Sequence, residues 1–320
     1  MSLTNQIADP TSRLCTFLDT HLPERHLISQ QWRHELHAAP SAGIAIDTWR
    51  STVALAIELR IGLDLADKPG HRDLLSFLPA DDYAALLRGA GFHPVTYDHL
   101  PDSHTTDPLL MDWTRLTNPA EGDDLQHAAL DACLNAALMN DVDHALEGSS
   151  AARSRRAFFM QLHSQQRQDE PALNGLAHLW ANYLRYGRRP LSQLGKRVVL
   201  APVLAPGFAK ADIVIGWTLV DIKTVLDPST YMDRWLDQLL GYTLLDRLNA
   251  FYLEHVALYL SWQSLLLSAP IAAVLATATR GPTPELHALR KTFDEALRPD
   301  LDAAEARYLH KLYPAPQDAP

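Results

Sequence analysis

The stretch KADIVIGWTLVDIKT, from Lys210 to Thr224, decides the fold expected for the C-terminal half of this 320-residue chain. Two apolar runs flank Gly216-Trp217, a pattern that is typical of two β-strands joined by a tight turn. Pairing outward from that turn places Asp212 opposite Asp221, with Lys223 two residues further along on the same face. The same register pairs Ile215 with Thr218 and Ile213 with Val220.

Two carboxylates in this position are an unfavourable pair unless a positive charge lies between them. The β-carbons of paired residues are about 5 Å apart, so Asp212 and Asp221 repel each other. A divalent metal with oxygen ligands would relieve that repulsion, and Lys223 could then serve a bound anion or an attacking water. The alternative is a buried salt-bridge cluster without catalysis, which is less favoured because one lysine cannot fully offset two buried acids.

Charge is distributed unevenly along the chain. The net charge is −10, but residues 151–223 contain eleven Lys or Arg and only four Asp or Glu. That segment therefore carries +7 and the rest of the chain −17. A basic surface around two carboxylates suits a polyanionic substrate such as nucleic acid. An ordinary asymmetry of surface charge is the alternative interpretation.

Composition indicates a globular protein, with 47% hydrophobic and 21% charged residues. The first residues contain no basic segment followed by an apolar run, and no uncharged apolar stretch reaches about 18 residues. Two cysteines, Cys15 and Cys133, are too few for a disulfide framework and are expected to be buried, reduced thiols. We therefore expect a cytoplasmic protein that does not span a membrane.

Residues 1–150 are expected to be mainly helical, with helices near 47–66, 80–88 and 123–146. From Leu116 to Ala152 there are seven acids and no Lys or Arg. Such a run is usually a solvated helical face, although it could also bind a protein partner or exclude substrate. Gly148-Ser-Ser is the best candidate for a boundary, which divides the chain into 1–150 and 151–320.

A β-rich block follows that boundary, between helices. From the helix predicted at 171–186 onward, the order of elements is α-β-β-β-α-β-α. The predicted strands are 196–201, 210–216, 218–224 and 255–262, and the predicted helices are 151–168, 171–186, 231–248, 283–297 and 303–312.

The spacing Asp-x8-Asp-x-Lys on two hairpin strands, inside this block, resembles the PD-(D/E)XK nuclease superfamily. A second motif, Gln238-Leu-Leu-Gly-Tyr242, matches the Gln-x-x-x-Tyr motif of its RecB-like branch and puts both polar side chains on one helix face. The resemblance covers roughly residues 171–265. It implies an α/β (α+β) fold with a restriction-endonuclease-like αβββαβ core, in which helices flank a mixed sheet.

The resemblance also implies roles for individual residues. Asp212 and Asp221 would bind Mg²⁺ or Mn²⁺, with the backbone carbonyl of Ile222 as a further ligand. Lys223 would position or deprotonate the attacking water, or offset charge as it builds on the phosphate. Gln238 and Tyr242 would orient the lysine or contact the substrate backbone.

The chain departs from the superfamily pattern in two places. Ala211 stands where a proline usually precedes the first aspartate. Many members also supply an acid or a histidine from the first helix as a metal ligand, and three residues are candidates for that place: Glu58, Glu170 and His178. None has clean motif spacing, so the number of metals stays open.

These features predict a metal-dependent nuclease that hydrolyses phosphodiester bonds, with DNA the favoured substrate and a role in phage defence, restriction or repair. A catalytically inactive member of the same fold, acting as a nucleic-acid-binding or assembly subunit, is the alternative. A third interpretation is an interaction protein in which a partner bound to the N-terminal helices delivers the substrate. The oligomeric state is open, and a homo-oligomer is compatible with the sequence.

Overall fold

The computed structural model describes residues 2–37, 49–66, 93–95, 110–112, 130, 133–138, 140 and 152–312. These residues form a mixed α/β protein with a helical N-terminal region and a five-stranded sheet flanked by helices. The helix predicted at 80–88 lies outside them, as do parts of the one predicted at 123–146. Within the described ranges, no helix is long and apolar enough to cross a membrane.

Four helices form the described N-terminal part: α1 (Leu3–Ala8), α2 (Arg13–His21), α3 (His26–His37) and α4 (Arg50–Leu65). Serine caps begin the first two, since Ser2 Oγ accepts from the Asn5 N–H and Ser12 Oγ accepts from the Cys15 N–H. Helix α4 confirms the helix predicted near 47–66. Strands β1 (His93–Val95) and β2 (Leu110–Asp112) pair in parallel, and residues 133–138 are helical.

The C-terminal half begins with α5 (Ala152–Gln166), α6 (Glu170–Asn182), a π-helical turn (Tyr183–Gly187) and α7 (Arg188–Ser192). Seven strands follow: β3 (Val198–Leu200), β4 (Val203–Ala205), β5 (Ala209–Lys210), β6 (Ile213–Ile215), β7 (Thr218–Lys223), β8 (His255–Leu260) and β9 (Leu265–Pro270). The main sheet has the order β3-β6-β7-β8-β9, and β4 pairs with β5 separately.

Only β7 and β8 are parallel neighbours in the main sheet, and its other three pairs are antiparallel. A parallel pair needs a long crossover, which here contains a short 3₁₀ turn (Ser229–Tyr231) and α8 (Met232–Leu245). Two further helices, α9 (Ile271–Ala278) and α10 (Leu286–Leu312), complete the chain as described.

The hairpin predicted around Gly216 is confirmed, because Ile215 pairs with Thr218 and Ile213 pairs with Val220. Gly216 has a φ of +59°, in the left-handed region that favours glycine. A β-carbon there would also collide with the carbonyl oxygen of Leu194. The turn therefore requires glycine for two independent reasons.

Two hydrophobic clusters cover the two faces of the sheet. Val220 and Ile222 belong to a cluster with α4, α6 and residues 133–138, whereas Leu219 belongs to one with α1, α2, α3, α8 and α10. Each cluster combines side chains from before residue 150 with side chains from after it. Both cysteines are free and buried, as predicted. The boundary predicted at Gly148-Ser-Ser lies outside the described residues, so the division at 150 stays a prediction.

The predicted elements differ from the structure in three respects. The single strand predicted over 210–216 is split into β5 and β6. The break lies opposite Ala201 (φ +45°), whose N–H donates to the Asp212 carbonyl oxygen, and beyond that point β5 pairs with β4 outside the main sheet. Strand β9 and helix α9 were not predicted, since the apolar run in this region has no clear period. The helices predicted at 283–297 and 303–312 are one helix, α10, which contains Pro299 and buries Leu297 and Leu301 on either side of it.

Candidate metal and catalytic site

The hairpin brings Asp212 and Asp221 together. The Oδ2 atom of Asp212 accepts a hydrogen bond of 2.7 Å from the backbone N–H of Ile222, the residue after Asp221. The carbonyl oxygen of Asp212 accepts one of 2.8 Å from the N–H of Ala201. Backbone contacts from two neighbouring strands thus hold Asp212 just before β6 begins, beside the middle of β7.

Asp221 is the most deeply buried acid of this group, with 1% of its surface exposed. The Nζ atom of Lys223 lies 2.6 Å from its Oδ2 atom, which is ion-pair contact. The Oδ1 atom of Asp221 has no hydrogen-bond partner, and both carboxylate oxygens are shielded from solvent. Buried oxygens without hydrogen bonds are costly, and metal coordination is one way to satisfy them.

The electrostatics of this group favour binding a cation. Burial raises the pKa of Asp221 to about 8, with Lys223 opposing the increase and the charge of Asp212 adding to it. Burial lowers the pKa of Lys223, but the charges of Asp221 and Asp212 outweigh that effect and raise it overall. The negative charges therefore exceed what the lysine compensates, and a divalent cation would remove the excess.

Glu58 on helix α4 is the third acid near this pair. Burial, and then the charge of Asp212, raise the pKa of Glu58 well above its ordinary value, with Asp221 acting in the same direction. Lys223 and Lys210 act in the opposite direction, so Glu58 shares one electrostatic environment with the hairpin. Of the three candidates for the additional ligand, Glu58 is the one that the structure brings close.

The other two candidates are placed elsewhere. Glu170 is an exposed residue at the start of α6. His178 packs its ring 6.0 Å from that of Trp262, and its Nε2 atom is buried without a hydrogen-bond partner. The largest electrostatic effects of charged side chains on Asp221 and Glu58 come instead from the hairpin residues Asp212 and Lys223.

Gln238 and Tyr242 lie together on α8, as their spacing predicts. The Nε2 atom of Gln238 donates a hydrogen bond of 2.8 Å to the hydroxyl oxygen of Tyr242. Burial raises the pKa of Tyr242, and the charges of Asp221 and Asp212 raise it further. The tyrosine therefore stays neutral and lies close enough to the carboxylates to respond to their charge.

Ser261 is a supporting residue that the motif does not include. Its backbone N–H donates to the Lys223 carbonyl oxygen at 2.9 Å, and the single proton of its hydroxyl is shared between that oxygen, at 3.2 Å, and Thr224 Oγ1, at 2.9 Å. Ser261 thus fixes the backbone at the end of β7. Only its position at the end of β8, the parallel neighbour of β7, could have indicated this role.

The chemical types of the candidate ligands suit a divalent metal, although their side chains do not form a complete coordination sphere. In the part of the chain that the structure describes, no group of three or more His, Cys, Asp or Glu side chains is positioned to hold a metal ion. Asp212 and Asp221 supply two carboxylates, which are the hard oxygen ligands that Mg²⁺ and Mn²⁺ accept. The Ile222 carbonyl as a further ligand stays a prediction.

The position of Glu58 leads to a test of the third ligand. Glu58→Gln is expected to weaken Mn²⁺ binding by about 10- to 100-fold, because it removes a carboxyl group that interacts with Asp212 and Asp221 and that a bound cation would keep ionised. Isothermal titration with Mn²⁺ measures the change. Glu170→Gln is the matched control and should bind Mn²⁺ as the wild type does. Equal affinities for the wild type and Glu58→Gln would exclude Glu58 from the site.

Comparison with known proteins gives no assignment of this chain. No protein-family model matches the sequence. No curated protein and no solved structure matches it either.

Proposed function

We propose that the protein is a metal-dependent nuclease that hydrolyses phosphodiester bonds, with DNA as the favoured substrate. The observation that carries this proposal is the buried carboxylate of Asp221, which interacts with both Asp212 and Lys223. The resemblance to PD-(D/E)XK nucleases of the RecB-like branch supports it. A restriction-endonuclease-like core is part of the same proposal, as is a role in phage defence, restriction or repair.

In this proposal Asp212, Asp221 and the carbonyl of Ile222 hold Mg²⁺ or Mn²⁺, with Glu58 close to the same site. The bound metal would polarise a phosphoryl oxygen and lower the pKa of a coordinated water. The burial of Asp221 matters for this chemistry, because electrostatic interactions are stronger where water is excluded.

In this proposal Lys223 acts through its charge. The neighbouring carboxylates raise its pKa in the metal-free protein, which favours the ammonium form over the neutral amine that a base requires. It can instead offset the negative charge that develops on the phosphate in the transition state. The backbone at Lys223 is held by Ser261, which limits the reorganisation that this contact needs.

Gln238 and Tyr242 position groups around the reacting phosphate. Tyr242 accepts from Gln238, so its own O–H proton remains available for another acceptor. A neutral tyrosine beside two carboxylates can donate to one of them or to a substrate oxygen. Either contact orients the site without adding charge.

Several basic side chains of the C-terminal half are exposed and suit nucleic acid. Arg185, Arg189, Lys196 and Arg197 are exposed, and they belong to the segment 151–223 with its net charge of +7. Arg188 differs from them, since it pairs with Asp64 at 2.8 Å. Phosphate binding by such side chains should weaken as salt rises.

Cleavage assays test the proposal. The wild type is expected to degrade labelled oligonucleotides with Mg²⁺ or Mn²⁺ and to be inactive in EDTA. Asp212→Asn should lower the rate by at least about 100-fold, because it removes a ligand charge that no other side chain replaces. Asp302→Asn, an exposed acid on α10, is the control and should cleave normally. Undiminished cleavage by Asp212→Asn would exclude this site as the catalytic one.

The second candidate is a catalytically inactive nucleic-acid-binding or assembly subunit of the same fold. It is favoured by one observation, namely that Lys223 already occupies one side of the Asp221 carboxylate as an ion-pair partner. Salt-sensitive binding of oligonucleotides without cleavage under any metal would support this candidate. A protein partner of the N-terminal helices and a homo-oligomer stay predictions.

A further inference from the structure

A cavity of ≈320 Å³ opens where β7 ends, directly beyond Lys223. Its described lining includes Arg50 at the start of α4, Thr224 and Asp227 from the segment after β7, Tyr231 before α8, and Trp262 after β8. The volume is at the lower end of the range for small-molecule sites. A group bound in it would lie next to the residues that surround the reacting phosphate in the proposed function.

The walls of this cavity are fixed by hydrogen bonds. Ser261 donates to Thr224 Oγ1, and Gln263 Nε2 donates to the Leu226 carbonyl oxygen at 3.0 Å. On the other side, Arg33 Nε on α3 donates to the Ser229 carbonyl oxygen at 2.9 Å. Segments from both halves of the chain thus hold the cavity in its shape, as a binding site requires.

Tyr231 supplies an aromatic surface at the cavity. Its ring stacks on Trp235, with centroids 5.4 Å apart, and 45% of the residue remains exposed. Exposed aromatic rings are the usual stacking partners of unpaired nucleobases, since every base has a π-face. Trp262, which is 2% exposed, adds an apolar surface deeper in the cavity.

Polar groups at the rim of the cavity suit the phosphate and the polar edge of the base of a nucleotide. Arg50 is exposed and adds positive charge at the rim. The Oδ1 atom of Asp227 accepts from the N–H and hydroxyl of Ser229, at 3.2 and 2.6 Å. A carboxylate has about four acceptor sites, so Asp227 can also accept from the amino group of a base.

We propose that this cavity binds one unpaired nucleobase of the substrate beside the cleaved phosphate, which makes single strands and unpaired ends the substrate class. This inference rests on the proposed function and refines it. A base inside a duplex is stacked on both faces and paired at its edge, so it reaches Tyr231 only if it is flipped out. A strand that is already unpaired avoids that cost.

The test measures binding separately from cleavage. The full-length protein in EDTA is titrated into single-stranded oligonucleotides that carry the fluorescent base 2-aminopurine, with the matching duplexes in parallel. Stacking should quench the fluorescence of the single strands and leave that of the duplexes unchanged. Tyr231→Ala should lose the quenching and weaken binding about 10-fold, whereas Tyr231→Phe keeps the ring and should bind like the wild type.

Tyr252→Ala is the matched control, because Tyr252 is 62% exposed and does not line the cavity. Wild-type affinity and quenching for Tyr231→Ala would overturn the base site, whether or not the protein cleaves. Equal quenching of duplexes and single strands would show base flipping and overturn the preference for unpaired strands. Binding that depends on Tyr231 in a protein without nuclease activity would support the base site and contradict the proposed function alone.

Discussion

Lys223→Ala is expected to lower the kcat of phosphodiester cleavage by about 100- to 1000-fold, the range found when one preorganised charge-stabilising group is removed. At pH 9, above the raised pKa of Asp221, the same change should destabilise the metal-free protein by up to about 3–5 kcal/mol, because it leaves the buried, ionised carboxylate without its cation. Single-turnover cleavage and urea unfolding in EDTA measure the two effects.

Lys223→Arg separates catalysis from folding. It keeps the positive charge, so the free energy of unfolding should fall much less than in Lys223→Ala. A guanidinium differs from an ammonium in shape and hydration, so cleavage should remain impaired. Lys291→Ala, at an exposed position of α10, is the control for both measurements. Wild-type cleavage by Lys223→Ala would remove the lysine from the mechanism.

Asp221→Asn is expected to abolish cleavage and yet to stabilise the metal-free protein at pH 8. The pKa of Asp221 is raised to about 8 by burial, whereas in the unfolded chain it is about 4. Between about pH 4 and 8 the folded state therefore holds a proton that the unfolded state has lost. The free energy of unfolding then falls as pH rises, by at most about 1.4 kcal/mol per pH unit. Asparagine cannot ionise, so this loss disappears.

Urea unfolding in EDTA from pH 4 to 9 tests whether the free energy of unfolding falls as pH rises. The wild type should lose stability as pH rises towards 8, and Asp221→Asn should have a smaller slope. Some slope will remain, because the pKa of Glu58 is raised as well and contributes in the same direction. A wild-type protein whose stability increases between pH 5 and 8 would contradict the electrostatics of the site. Mg²⁺ should reduce the slope of the wild type if it binds the ionised carboxylates.

The sequence predicted correctly those features of the site that depend on nearby residues in the chain. The hairpin follows from one glycine and two apolar runs, and the register then follows from counting outward to Asp212 and Asp221. Gln238 and Tyr242 are four residues apart on a helix, so their contact also needs no knowledge of the rest of the chain. These parts of the site depend on short-range geometry, which the spacing of residues determines.

What the sequence left open depends on packing between distant segments. Glu58 lies more than 150 residues before Asp212, and only the packing of α4 against the sheet brings it near. Its spacing therefore contained no signal that separated it from Glu170 or His178. Ser261 is similar, since its contact with Lys223 depends on the parallel pairing of β7 and β8.

Both hydrophobic clusters contain side chains from both halves of the chain, and this affects how the protein folds during its synthesis. Helices α1 to α4 leave the ribosome first, but the surfaces that cover them come from the sheet and from α8 and α10. Leu3, for example, packs against Gly241. Such long-range contacts form late and slowly, so the nascent chain would expose apolar helix faces until almost all of it is made. The candidate site can therefore form only after the strands β6 to β8 and helix α8 have been synthesised and packed against α4.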